Sequence, residues 1–311
     1  MTTALYTHPD CLQHLTPPGH HECAERLEAI ARALAAPEFG ALERREAPLA
    51  VEADILLCHP PEHLAEIRAA IPDSRYAALD ADTFVSPGSL QAAFRAVGGN
   101  VAAVDAVLAG EVTNAFVACR PPGHHAEPHR AMGFCLFGNV AIAAMHALER
   151  HGLKRVAIVD FDVHHGNGTQ ALLWNEARVL FASSHQMPLY PGSGAVHERG
   201  AHDNILNAPL EPMSGGAQMR RVYESEIFPA LETFSPELVL VSAGFDAHTA
   251  DPLAELNWTV EDFAWLTARI CDIAETHAGG RVVSTLEGGY DLDALAASVA
   301  AHVEVLMERG R

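Results

Sequence analysis

Five short apolar runs, Asn114–Cys119, Val156–Asp160, Val179–Ala182, Leu238–Ala243 and Arg281–Leu286, are each followed by a turn crowded with His, Asp, Ser, Gly or Tyr. Runs of this length read as buried strands. Helical patterns stand between several of them, at Val140–His151, Thr169–Glu176, Ala217–Phe234, Val260–Ala278 and Leu292–Glu308. Such alternation predicts an α/β fold with a largely parallel sheet and helices on both faces. Ligands of such sheets bind beyond the carboxyl ends of the strands, so the loaded turns can build one site. No repeat or low-complexity linker interrupts the pattern, and the expectation is a single domain over residues 1–311.

The N-terminal third reads differently. A short strand, Ala4–Thr7, precedes a loop rich in Pro and His, a helix at Cys23–Ala35, and helical stretches at Asp54–Leu57 and Glu62–Ala70. The polar segment Leu79–Ser89, with Asp80 and Asp82, is expected at the rim of the site.

Composition narrows the functional class. Hydrophobic residues make up 49% and charged residues 19%, which suits a well-buried globular protein. The net charge of −20 argues against direct nucleic-acid binding and for cationic partners. No apolar run is long enough to span a bilayer, and Met1 to His8 lacks a signal-peptide pattern, so no membrane and a cytoplasmic location are expected. The cysteines at 11, 23, 58, 119, 135 and 271 form no CxxC pair, which opposes both a disulfide framework and a cysteine zinc site.

The most loaded turn is Asp160-Phe-Asp-Val-His-His165. In extended chain, positions i, i+2 and i+4 point the same way, so Asp160, Asp162 and His164 can converge just past a strand. Asp246 stands in the same place behind Leu238–Val241. Two carboxylates and one imidazole make an open metal site with room for water and a substrate oxygen. A lone Asp at a strand end is more often a helix cap; the company of the tandem histidines tips the balance. His124-His125 follow the stiff Pro121-Pro122-Gly123, and imidazoles near a metal water can take and return protons during amide hydrolysis. Tyr290, behind Gly288-Gly289, is placed to donate to an oxyanion.

Arg120-Pro-Pro-Gly-His-His-Ala126, Gly133-Phe-Cys135, Asp160–Gln170, Ala243-Gly-Phe-Asp246 and Leu286-Glu-Gly-Gly-Tyr290 together resemble the zinc-dependent histone deacetylase superfamily. The closer likeness is to its class II and bacterial amidohydrolase branch. The resemblance implies the arginase/deacetylase fold, a three-layer α/β domain around a mainly parallel eight-stranded sheet. It implies a metal-dependent amidohydrolase that removes the acyl group from N-acyl-lysine, on a protein or small carrier, by metal-activated water. Asp162, His164 and Asp246 then match the ligands of one Zn²⁺. His125 matches the main general base and acid, His124 its electrostatic partner backed by Asp160, and Tyr290 the oxyanion donor.

The same resemblance implies a K⁺ ion framed by Asp160, Asp162, His164, Ser183 and Ser184, mostly through carbonyls. It further implies substrate contacts at Gly133, Phe134, Tyr190, Leu253 and Gly289, and Arg26 beside a product channel. Asn167 stands where class I members carry Asp. A neutral amide stabilises an imidazolium less than a carboxylate does, so a lower His125 pKa is expected. Polyamine-selective relatives place a Glu near Leu253; an acetylpolyamine amidohydrolase is therefore the alternative, with the global acidity in its favour. A dinuclear manganese ureohydrolase fits less well, because His248 stands where those enzymes carry another Asp, and a non-catalytic acyl-lysine reader has no use for so complete a constellation. Acyl length, carrier and homo-oligomerisation stay open.

Overall fold

The computed structural model describes residues 2–310, so Met1 and Arg311 lie outside it. The chain opens with β1 (Thr3–Thr7), α1 (Glu25–Ala33), β2 (Glu43–Glu46), α2 (Glu52–Ile55) and α3 (Pro61–Ala70). A small hairpin, β3 (Ala77–Ala78) and β4 (Phe84–Val85), leads into the long helix α4 (Ser89–Leu108). Alternation then sets in: β5 (Asn114–Val117), α5 (Asn139–Arg150), β6 (Val156–Asp160), α6 (Asn167–Leu173), β7 (Val179–Gln186) and β8 (Ile205–Leu210). The chain continues through α7 (Gly216–Val222), α8 (Phe228–Phe234), β9 (Leu238–Ala243), α9 (Val260–Ala278), β10 (Val282–Leu286) and α10 (Leu292–Arg309).

Eight strands form one sheet in the order β2-β1-β5-β10-β9-β6-β7-β8, and every pairing in it is parallel. The mainly parallel sheet expected from the sequence is thus wholly so. Helices α1, α10 and α9 pack in succession, as do α4, α5 and α6, and both groups rest on the central strands. The strands between them are buried on both faces, which is why they read as continuous apolar runs rather than alternating ones.

The order of the strands matters most for the site. The five adjacent strands β5, β10, β9, β6 and β7 are those with loaded turns. Register brings their ends level: Asp160 pairs with Ser183 on one side and Ser242 on the other, and Ala243 pairs with Leu286. One edge of the sheet therefore collects the tandem histidines, Tyr290, Asp246, Asp162 and His164.

Several elements escaped the sequence reading. Strand β2, Glu-Arg-Arg-Glu, carries no apolar residue because it is an edge strand, where charge guards against further pairing. Strand β8 is the opposite edge and contains Pro209. Helix α4 hides behind Gly98-Gly99 and a nearly all-apolar face; it is buried enough that no amphipathic stripe marks it. The single helix expected at Ala217–Phe234 is instead interrupted by a π-helical turn, Tyr223–Ile227, just before Pro229, whose missing N–H spoils regular pairing there.

An ion cluster joins the N-terminal third to the sheet edge. Glu22, wholly buried, accepts from Arg120 Nη2 at 2.7 Å and from Arg120 Nε, and pairs with Arg26 Nη1 at 3.3 Å and His14 Nε2 at 3.4 Å. Arg120 also donates to the carbonyls of Cys11 and His14. Arg26 reaches the other way, to the carbonyls of Gly289 at 2.7 Å and Glu287 at 2.5 Å. Burial alone would raise the Glu22 carboxyl, but the charge of Arg120 and the hydrogen bonds from His14 and Arg120 outweigh it and hold it far below the usual range.

Two outcomes follow from this packing. Replacing Gly98 by Ala should help on helix propensity alone, but a Cβ there meets the backbone of Pro48 and, at 2.6 Å, the Ala50 nitrogen. Gly98→Ala is expected to lose about 1–3 kcal/mol in urea denaturation. Glu22→Gln is expected to lose about 3 kcal/mol at pH 7, since it leaves buried guanidinium charge unpaired. A carboxyl with a depressed folded pKa stabilises fully above its unfolded value and less as pH falls, so denaturation series should show the deficit narrowing below about pH 4.

Candidate active site

Asp162, His164 and Asp246 converge at the floor of the site. Their ligand atoms all lie within 4.8 Å of one another, and all three side chains are buried. His164 Nδ1 lies 3.2 Å from Asp162 Oδ1 and 3.1 Å from Asp246 Oδ2. Backbone amides orient the carboxylates: Val163 N donates to Asp246 Oδ1, His164 N to Asp162 Oδ1, and Gly288 N to Asp162 Oδ2. Gly288 is required where it stands, because a Cβ would collide with Asp246 Oδ2 and lie 2.6 Å from Asp162 Oδ2.

This donor set suits a divalent cation. Burial and the neighbouring Asp162 charge push the Asp246 carboxyl up, while burial is opposed by the Asp162 and Asp246 hydrogen bonds to carry the His164 imidazole up to about 10. Two carboxylates buried this close repel unless positive charge sits among them. A cation would supply it, leaving His164 neutral as a ligand.

A second convergent group, Asp105, His146 and His151, lies between α4 and α5 with Asp105 and His151 exposed. One oxygen, Asp105 Oδ1, sits 2.7 Å and 2.6 Å from the two Nε2 atoms. That is hydrogen-bond contact, tighter than the roughly 3.3 Å between neighbouring ligands implied by tetrahedral bonds of about 2.0–2.1 Å.

The turn after β5 brings His124 and His125 beside the floor, their rings 4.0 Å apart. His124 Nδ1 lies 3.0 Å from Asp160 Oδ2, and its Nε2 is 3.7 Å from Asp162. His125 Nδ1 lies 2.7 Å from Asn167 Oδ1. The two rings diverge electrically. Burial opposes charge on both, but Asp162 and Asp160 hold His124 well above its usual pKa, while burial with His124 and His164 nearby holds His125 well below. Burial likewise raises Asp160 to about 6, against the pull of His124.

Above this floor opens a cavity of about 450 Å³. Phe134, Tyr190, Phe84, Leu189 and Leu253 supply its apolar wall, and His125, His164 and Tyr290 its polar groups. Tyr190 stands edge-on to His125 at 5.2 Å between ring centroids, and Phe134 to Tyr290 at 5.8 Å. Gly133 and Phe134 both have positive φ, 54° and 68°; only glycine leaves space for the His125 ring at the first, and Phe134 holds a costly conformation at the cavity wall. Asp82 lines the rim, as the polar Leu79–Ser89 segment led one to expect. Tyr290 opens partly onto the cavity. Burial and the Asp246 charge keep its phenol well above its usual pKa, so it remains a donor.

Other expected residues lie elsewhere. Gly289 does not line the cavity; it is buried, with its carbonyl turned to Arg26. Arg26 is itself fully buried, its guanidinium 5.0 Å from the Tyr290 ring centroid, so it braces that turn from behind. The hydroxyls of Ser183 and Ser184 are engaged with His185 Nδ1 at 2.9 Å and Tyr223 at 2.8 Å.

Three carboxylates went unread in the sequence. Glu287 accepts from the amides of Gly123 at 2.7 Å and His124 at 3.2 Å, tying the tandem-histidine turn to β10. Asp251 accepts from the Tyr290 amide at 2.8 Å and the Leu253 amide at 2.9 Å. Glu127 accepts from Asn167 Nδ2 at 2.8 Å. Burial raises Glu287 and Asp251 to about 7 each. Only Glu287 carried a signal, as an acidic residue at the end of an apolar strand.

Comparison with known proteins agrees with this geometry. The histone deacetylase domain family matches residues 20–306. A histone deacetylase-like amidohydrolase of Pseudomonas aeruginosa is 42% identical over 88% of this chain and 73% of its own length. The mouse polyamine deacetylase HDAC10 is 37% identical over 99% of this chain and 48% of its own. The crystal structure of the HDA15 HD domain superposes with a TM-score of 0.93 at 33% identity, covering 99% of this chain and 88% of that one. The all-parallel sheet, the convergent strand-end turns and these likenesses agree: the chain belongs to the histone deacetylase family, a zinc-dependent family of hydrolytic deacetylases with the arginase/deacetylase fold.

Proposed function

We propose that this protein removes the acyl group from N-acyl-lysine, carried on a peptide or a small molecule, with one zinc ion held by Asp162, His164 and Asp246. The observation that carries this reading is the buried two-carboxylate, one-imidazole floor beneath an apolar-walled cavity, with paired histidines and a tyrosine at its base. When bound, zinc would supply Lewis acidity toward the amide carbonyl and the attacking water.

The chain's own groups do the rest. Phe134 and Tyr190 flank a slot suited to the apolar stem of an acylated lysine. Tyr290, kept protonated, donates to the carbonyl oxygen as negative charge develops there. His125, neutral at working pH, takes the proton from the attacking water and returns one to the departing amine. His124, cationic beside Asp160, stabilises negative charge in the transition state. The products are a carboxylate and a free amine. A potassium ion near Asp160, Ser183 and Ser184 belongs to the same proposal; with both hydroxyls engaged, backbone carbonyls would have to hold it.

The second reading, an acetylpolyamine amidohydrolase, draws on the net charge of −20. It draws also on Asp82 at the cavity rim; against it, Leu253 offers no carboxylate for a second ammonium, and the nearby Asp251 is buried and committed to backbone amides.

Steady-state rates of the zinc-loaded protein on acetyl-lysine peptide and acetylspermidine decide between the two. The peptide is expected to be the better substrate, and faster turnover of acetylspermidine would replace the first reading by the second. Chelation should abolish turnover and added zinc restore it. Tyr290→Phe should lower kcat by about a hundredfold or more. Full activity in that variant would remove the phenol from the mechanism.

A further inference from the structure

An asparagine amide has two ends of nearly equal size, one a donor and one an acceptor. Nothing in its shape decides which end faces a neighbouring imidazole. At Asn167 the choice has a chemical consequence. If Oδ1 faces His125 Nδ1, that nitrogen must carry the proton, and Nε2 keeps a free lone pair. If the NH₂ end faces it, Nδ1 holds the lone pair and Nε2 is protonated, and a neutral ring in that tautomer cannot take a proton through Nε2.

Glu127 settles the choice. Asn167 Nδ2 lies 2.8 Å from Glu127 Oε1 and 3.4 Å from Met132 Sδ, while Oδ1 lies 2.7 Å from His125 Nδ1. An ionised carboxylate only accepts, so turning the amide over would set two oxygens against each other at hydrogen-bond distance. The sulfur is too weak an acceptor to enforce the orientation by itself. Glu127 is in turn held by paired backbone bonds with Arg130, at 2.9 Å and 3.3 Å, and Thr169 N donates to the His124 carbonyl at 3.1 Å, so both turns are locked together.

We propose that Glu127 is a positioning residue: it fixes the Asn167 amide and thereby selects the tautomer in which His125 presents an unprotonated Nε2 for proton abstraction. The assignment of His125 as the base rests on the function proposed above; the tautomer itself does not. A consequence concerns position 167. A carboxylate there would face the Glu127 carboxylate across the same 2.8 Å gap, and like charges that close cannot both stay ionised. Asn at 167 and Glu at 127 therefore belong together in this chain.

The test uses the zinc-loaded full chain with Glu127→Ala, Glu127→Gln, Asn167→Asp and the double variant Asn167→Asp/Glu127→Gln. Nitrogen-15 spectra of labelled His125 read the tautomer directly, and kcat, KM and zinc content are measured beside them. Glu127→Ala is expected to mix the two tautomers and to lower kcat about tenfold at unchanged KM and zinc content. Glu127→Gln, which can still accept from the amide, should recover most of that loss. In the Asn167→Asp background the sign should reverse, with Glu127→Gln raising kcat.

A single Nδ1-protonated tautomer together with full kcat in Glu127→Ala would overturn the proposal. So would an effect of Glu127→Gln of the same sign and size in both backgrounds. If the wild type turns over no acyl-lysine, the functional reading falls, yet the tautomer in wild type against Glu127→Ala still decides the role of Glu127.

Discussion

Two carboxylates and an imidazole, all buried, share the floor of the cavity, and that electrostatic demand organises everything around it. Asp162 and Asp246 cannot sit together buried unless their charge is met from several sides. Backbone amides of Val163, His164 and Gly288 meet part of it, and His164 another part. What remains is a charge deficit shaped for a divalent cation. Side chains are excluded where they would intrude, which is why Gly288 stands at this edge of the sheet.

Around that floor the fold separates the electrical states of neighbouring like groups. His124 and His125 are adjacent in sequence and in space, their rings tilted 42° to each other, yet one is pressed toward the cation and the other toward the neutral ring. The difference comes from the charges around each: Asp162 and Asp160 face His124, whereas His125 is buried beside the imidazoles of His124 and His164, which its hydrogen bond to Asn167 offsets only in part. The acidic charge that would upset this division is set one residue further away, in Glu127, where it acts on the amide rather than on the ring. The same logic governs Tyr290, whose phenol stays a donor because burial and the Asp246 charge oppose its ionisation more than Arg26 favours it.

A scaffold of buried polar contacts holds these groups in register. Glu22 joins Arg120, at the start of the histidine turn, to Arg26, which grips the carbonyls of Glu287 and Gly289. Glu287 returns the contact by holding the histidine turn from β10. Each catalytic turn is therefore braced by a residue from another strand end or from the N-terminal segment, and none relies on its own loop alone.

Much of this was legible in the chain. The apolar runs and their loaded turns foretold the sheet, because strands buried on both faces must be continuously apolar and their polar residues can only gather at the ends. Asp162, His164, Asp246, the tandem histidines and Tyr290 announced themselves by residue type beside those runs. Edge strand β2 and buried helix α4 did not, since charge on an edge and apolarity on every side both erase periodicity. Nor did Glu22, Asp251 or Glu127: their meaning lies in partners 98, 39 and 40 positions away. The sequence by itself determined which chemistry could be assembled. Only the tertiary structure decided which imidazole is pressed toward its charged form, which toward its neutral form and which carboxylates stand beside them, because burial and hydrogen-bond partners, not residue type, set those states.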